Sequence, residues 1–332
     1  EVWQMMMGFD GYSFCKPHSA SYTLVAYKSA YLRAHYPAEF MASVISNGGG
    51  YYSTFGYVSE ARRMGLTILL PDVNRSDIKY IGKDKDIRIG LMQIRDMTLE
   101  AKETIIQERK KNGPYGSLQE FLDRTVSQVH LQDVKALIKA GCFDSISRSI
   151  TRPGLMWQAL SFFHQKEEDK TPTLFDQVKT PVPSQGPSSL KEPYSDALMR
   201  KHEIETLGFY FSIHPLDLYR RKLSGMDYVP AKDLALHVGE TVTTIGWQVT
   251  GKTIRTKTGE TMKFVSFEDT TGLYETVFFP KIYNRYCHLL NAAKPYLIKG
   301  KVEEDFGALC LTVNWIGFAG TMGLIRINNG FC

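Results

Sequence analysis

The sequence predicts a multidomain chain, mainly α-helical in its first half and all-β in its second, where five strands are expected to close a small barrel. Three observations carry this reading. Apolar residues recur at helical spacing, with caps and glycine stops, as far as about Gln165. A stretch at 166–193, rich in Pro, Ser, Thr, Glu and Lys, has too few large apolar residues to build a core. Beyond Val229 the apolar period changes to two.

From Ser19 to Arg33, the residues Tyr22, Leu24, Val25, Tyr27, Tyr31 and Leu32 leave almost no polar face, which predicts a helix packed on several sides. Pro37 suits a first helical turn and Glu39 the positive end of its dipole, while Phe40, Met41, Val44 and Ile45 form a stripe before Gly48-Gly49-Gly50. A third helix is expected from about Ser53 to Met64, with Arg62 and Arg63 in its last turn and Gly65 beyond. Leu66 to Leu70 reads as a short strand, and Lys79 to Ile81 is expected to pair with Ile87 to Ile89 around the turn Gly82 to Asp86. Helices follow at Thr98 to Arg109, at Leu118 to Arg124 behind a Ser117/Glu120 capping box, at Leu131 to Ala140 stopped by Gly141, and at Pro153 to Gln165. Past the polar stretch, Asp196 to Leu207 reads as a helix ended at Gly208.

The strands are expected at Thr241 to Val249, Met262 to Phe267, Tyr274 to Phe279, Tyr296 to Val302 and Leu309 to Ile316. A helical stretch, Lys281 to Leu290, lies between the third and fourth, which is the element order of an oligonucleotide/oligosaccharide-binding (OB) barrel. The loop after strand one carries Lys252, Arg255 and Lys257, Lys263 begins strand two, and Trp247, Phe264, Phe267 and Tyr274 alternate nearby. Cations for phosphates and rings for base stacking are what single-stranded nucleic acid requires. Alternation must turn half of those rings into the core, and Phe264 or Phe267 is expected there.

Composition narrows the alternatives. A chain of 332 residues with 43% hydrophobic content can bury two or three cores, and its net charge of +5 suits a polyanionic partner without establishing one. There is no apolar run of membrane-spanning length and no signal peptide, so no membrane partner is expected. Five scattered cysteines without a C-x-x-C pair read mostly as small buried hydrophobes in a cytoplasmic protein, and no histidine pair has metal-ligand spacing. No metal or other cofactor is expected to bind. Without an initiator Met, the sequence also reads as a segment of a longer chain.

The run Gly11-Tyr12-Ser13-Phe14-Cys15-Lys16-Pro17-His18-Ser19-Ala20-Ser21-Tyr22, continuing through Tyr31 to Met41, resembles the fingers signature G-Y-x-F-N-K-S-H-S-A-x-Y of bacterial family C polymerases, the DNA polymerase III alpha subunits. The resemblance implies that Lys16 and His18 face the incoming deoxynucleoside triphosphate, where an ammonium and an imidazole can neutralise phosphate oxygens. Taken alone, Lys16 would read as a solvated lysine and His18 as a helix cap. Cys15 and Pro17 replace the family's Asn and Ser, which suggests a divergent or error-prone relative.

Gly90-Leu91-Met92-Gln93-Ile94-Arg95-Asp96-Met97-Thr98 resembles the family's helix-hairpin-helix turn, G-h-x-x-h-K-G-h-G, which implies duplex-backbone binding by Arg95 and Thr98. Asp96 and Thr98 stand where that pattern has glycines, so phosphate binding and a purely structural role both remain open. Leu131, Val134, Leu137, Ile138, Gly141, Phe143 and Asp144 match the following family segment and read as packing. Thr171-Pro172-Thr173-Leu174-Phe175 aligns with the family's sliding-clamp peptide, with Leu174 and Phe175 as the clamp-binding pair and Thr171 in place of Gln.

The resemblance divides the chain into the C-terminal part of the fingers at 1–85, the helix-hairpin-helix region at 86–165, a clamp-peptide linker at 166–193, a helical connector at 194–228, the OB-fold domain at 229–319 and a tail at 320–332. It implies DNA-directed DNA polymerase activity, with Mg2+, for the full-length protein, and primer-template duplex, single-stranded template, clamp and other replisome subunits as partners. No cluster of the P-D-x-D-x-D kind is present, so this segment is expected to contain no catalytic residue and to be inactive alone. The competing reading is a freestanding DNA-binding or clamp-adaptor module, which would have no use for a fingers signature.

Overall fold

The computed structural model describes residues 2–3, 16–147, 149–168, 188–305 and 307–319. The first helix, α1 (Lys16–His35), is not packed on several sides as expected. Tyr22, Leu24, Val25, Tyr27, Tyr31 and Leu32 are each at least 45% exposed, and the core of the helical half begins at Ala38. An all-round apolar helix shows that its faces suit burial; it does not show that their partners lie in the same segment.

Helix α2 (Pro37–Asn47) starts at its proline and buries Ala38, Met41, Ala42 and Ile45 before Gly48 turns the chain at φ 59°. Helix α3 (Thr54–Arg63) is capped by Ser53, whose hydroxyl accepts from the Gly56 N–H. Strands β1 (Thr67–Leu69), β2 (Ile81–Lys83) and β3 (Asp86–Arg88) form a sheet in the order β1-β3-β2. The hairpin is tighter than expected: Lys83 pairs with Asp86, and the turn shrinks to Asp84-Lys85 with Asp84 at φ 57°. Asp72 is spent on local structure, accepting from the backbone N–H groups of Asn74 and Arg75.

Helix α4 (Leu99–Asn112) is capped by Thr98 and α5 (Leu118–Thr125) by Ser117. The anticipated capping box is displaced by one residue, because Glu120 accepts from the Gly116 N–H at 2.8 Å. Helix α6 (Leu131–Ala140) stops at Gly141 in the left-handed region, φ 83°, and α7 (Arg152–Glu168) follows. Helix α8 (Asp196–Leu207) ends the same way at Gly208, φ 82°. Val134, Leu137, Ile138 and Phe143 are fully buried, as their reading as packing requires, in one cluster that reaches from Ala38 to Phe209. A 3-10 turn (Pro215–Tyr219) and α9 (Arg220–Leu223) then lead into the barrel.

Strands β4 (Thr241–Arg255), β5 (Thr261–Glu268), β6 (Leu273–Phe278), β7 (Tyr296–Asp305) and β8 (Ala308–Phe318) close in the order β4-β5-β6-β8-β7. The short α10 (Pro280–Tyr286) lies between β6 and β7, so the expected OB topology is present. Val265, Phe267, Phe278, Tyr296 and Ile298 fill the interior. Strand β4 runs six residues beyond its expected end at Val249, because a register shift between Gln248 and Thr250 lets pairing with β5 continue. Lys252 and Arg255 therefore stand on a strand and not in a loop. Of the described cysteines only Cys142 is buried, while Cys287 is exposed and Cys310 half-buried, so the reading as small buried hydrophobes fits one of these three; Cys15 and Cys332 lie outside the described residues. Among the described residues no helix is long and apolar enough to cross a membrane.

Candidate nucleic-acid interface

The hairpin ahead of α4 is built on close backbone approach. A side chain at Gly90 would strike the Ile78 and Lys79 carbonyl groups, and the Leu91 and Met92 N–H groups donate to the Asp77 and Ile78 carbonyls at 2.9 Å. Arg95 and Asp96 are exposed at the tip. Asp96 adopts φ 61°, so the turn keeps a left-handed residue where the family pattern has glycine. Thr98 Oγ1 accepts from the Ala101 N–H at 3.1 Å and is committed to capping its own helix. Arg95 is braced, with its N–H donating to the Thr206 carbonyl at 2.9 Å and its guanidinium against Gly208.

A second hairpin between α5 and α6 presents Ser127, Gln128 and His130 to solvent. The Asp133 carboxylate accepts the His130 N–H at 2.9 Å and opens α6. Lys102 is buried in the first turns of α4, which pushes its ammonium below the usual lysine range, and the charge of Asp133 in α6 opposes that shift. The sequence carries no spacing signal for this pair, which lies 31 positions apart.

In the barrel the register sorts the proposed strand contacts. Lys252 stands opposite Phe264, Thr253 opposite Lys263, and Arg255 opposite Thr261. Side chains alternate along strands, so Lys252 and Phe264 share one face while Arg255 and Lys263 share the other. Lys257 lies in the turn closed by the Thr256 N–H to Glu260 carbonyl bond. Lys252, Arg255 and Lys257 are exposed, and their side chains form no ion pair or hydrogen bond among the described residues. Lys263 is only 8% exposed; its Nζ lies 3.4 Å from Asn291 Oδ1, and burial lowers its pKa. Trp247 packs against the cluster of Leu216, Leu223, Ile245 and Leu297. Phe267 is the core ring and Phe264 is half-buried. The structure thus leaves three exposed cations along the β4–β5 hairpin, Lys252 on one face, Arg255 on the other and Lys257 in the turn, and keeps Trp247 and Lys263 in packing roles.

His18 is exposed at the start of α1 and meets Tyr22 edge-on, with ring centroids 4.5 Å apart. The side chain of Lys16, the segment before it including Cys15, the clamp-type pair Leu174 and Phe175, and the tail at 320–332 lie outside the described residues. Among the described residues, no group of three or more His, Cys, Asp or Glu side chains could hold a metal ion.

Paired hairpins followed by a closed five-stranded barrel define a helix-hairpin-helix and OB-fold protein. Residues 65–152 match the helix-hairpin-helix motif family. The chain is 31% identical over 310 residues to the DNA polymerase III subunit alpha of Aquifex aeolicus, covering 92% of this chain and 25% of that protein. It is 30% identical over 341 residues to the subunit of the same name from Borreliella burgdorferi, covering 99% of this chain and 30% of the relative. The chain is similar along nearly its whole length to DNA polymerase III alpha subunits, and it spans about a quarter to a third of the length of these relatives. The second OB-fold domain of replication protein A from Methanococcus maripaludis covers 27% of this chain and 94% of its own at 18% identity and a TM-score of 0.21, which adds nothing to the topology already described.

Proposed function

We propose that this segment is the DNA-holding portion of a bacterial DNA polymerase III alpha subunit. The hairpins, with Arg95 and the capped start of α4 at Thr98, hold the duplex backbone. The barrel holds single-stranded template through Lys252, Arg255 and Lys257, with Trp247 and Lys263 as supporting positions. Lys16 and His18 belong to the nucleotide side, and Leu174 and Phe175 to a sliding-clamp contact. DNA-directed polymerisation, with Mg2+, belongs to the full-length cytoplasmic enzyme and its replisome partners.

The observation that carries the reading is the three exposed cations that line both faces and the turn of the β4–β5 hairpin, unengaged by any described carboxylate, in a chain matched along nearly its whole length by polymerase alpha subunits. Three phosphate contacts on a single strand contribute about 2 to the log–log slope of affinity against salt. Replacing Lys252, Arg255 and Lys257 with Ala should weaken binding of a labelled single strand and reduce that slope by about 2. An unchanged slope would remove the barrel from the strand path. The purified segment is expected to show no metal-dependent primer extension.

A further inference from the structure

Glu268, the last residue of β5, is 0% exposed, and its three partners all come from outside the barrel. Ser59 Oγ donates to Oε1 at 3.1 Å and Arg63 Nη1 to Oε2 at 3.0 Å, both from α3. His214 Nε2, on the residue that caps the 3-10 turn after α8, lies 3.2 Å from Oε1. Weaker joints flank it. The Tyr52 hydroxyl donates to Glu275 at 3.2 Å, Thr250 Oγ1 donates to the Tyr51 carbonyl at 2.9 Å, and Gly56 leaves no room for a side chain against Val249. Arg63 also pairs with Glu60 at 3.1 Å, and Glu60 accepts from Arg33 of α1 at 2.6 Å. An alternating chain, Arg33, Glu60, Arg63, Glu268, His214, thus runs from α1 through α3 to the barrel.

A carboxylate buried to this degree is tolerated only while its donors stay in place, because a sliding of the joint that kept it covered would leave it short of a donor and still without water. The joint therefore has one well-defined arrangement, unlike a polar interface that can slide. From this we infer that Glu268 is a positioning residue which locks the barrel to α3, so that hairpins and barrel form one rigid holder matched to a junction of duplex and single strand. The inference rests on the DNA-holding reading above. When one arm of such a junction is bound, a fixed holder presents the second site at high effective concentration; a loose one spreads that site over many orientations.

The test uses the full chain, with Glu268→Ala and, as a second variant reaching the same lock from the α3 side, Arg63→Met. Affinities are measured for a single strand, a blunt duplex, and a duplex carrying a 5′ single-stranded overhang, alongside scanning calorimetry. The unaltered chain should bind the overhang duplex at least tenfold more tightly than either simple probe and unfold in one transition. Either variant should lose about tenfold on the overhang duplex, stay within about twofold on the simple probes, and separate barrel melting from helical melting. Folded variants that keep both the junction affinity and the single transition would overturn the inference while leaving the DNA-holding reading intact. If the unaltered chain binds none of the probes, that reading fails, and the calorimetric comparison still decides whether Glu268 is a lock.

Discussion

Asp96 shows how one backbone angle and one charge act at the same point. Its φ of 61° is a region that glycine occupies freely and aspartate only at some cost, and its carboxylate stands beside Arg95 at the exposed tip where a phosphate would approach. Asp96→Gly should raise stability by ~0.5 kcal/mol, the relief of strain being partly offset by the greater freedom of glycine in the unfolded chain. It should also raise duplex affinity about threefold by removing a repulsive charge. Thermal unfolding and salt titrations of duplex binding measure the two effects separately. Stabilisation without any gain in affinity would assign the hairpin a structural role. Residues of this kind were legible in the sequence where the chemistry is local: Thr98, Ser117 and Gly141 act within four positions of themselves, and each does what its residue type predicts. Lys263 and Trp247 were not, because whether a strand residue faces solvent or a neighbouring element depends on partners far along the chain.

At the scale of elements, the turn between α4 and α5 is held by Arg124. Its guanidinium donates to Glu120 at 2.8 Å, to Glu108 at 3.2 Å and to the carbonyls of Glu108 and Gly113, and lies 4.3 Å over the Tyr115 ring. Both carboxyls sit below the usual glutamate range, Glu108 chiefly through the Asn112 amide and Glu120 chiefly through the Gly116 N–H, with Arg124 adding to each. Groups whose pKa is depressed on folding stabilise the fold above their unfolded value, near 4.3, and lose that contribution as pH falls through the folded one. Arg124→Ala should therefore lower the unfolding midpoint by about 2–4 °C at neutral pH, and the gap should narrow below pH 4. A gap that widened in acid would refute the assignment. Period-two strands and capped helices were readable because burial imposes their pattern. The extension of β4 to Arg255 was not, since it depends on a bulge that only the partner strand defines. Nor was the exposure of α1, whose composition fixes its appetite for burial but not the identity of what covers it.

Across the whole molecule, the geometry around the polar stretch bears on whether it can serve a partner. Thr151, just ahead of α7, donates its hydroxyl to the Leu190 carbonyl, which holds the chain after the stretch near the start of that helix. Helix α7 has 17 residues, and its other end at Glu168 is consequently about 25 Å away. The residues between Glu168 and Ser188 could cover about 60 Å if extended, more than twice the distance required. A connection needed only to close that gap could be far shorter, and it would have no reason to place Leu174 beside Phe175 in otherwise polar surroundings. The excess length and the apolar pair together fit a short peptide offered to a pocket on another protein. Deleting Leu174 and Phe175 should then weaken binding to the cognate sliding clamp at least tenfold, with the unfolding midpoint and the affinity for single-stranded DNA unchanged. Equal clamp binding by the deleted and intact chains would show that the pair serves the fold or another partner, and the clamp would have to be held elsewhere.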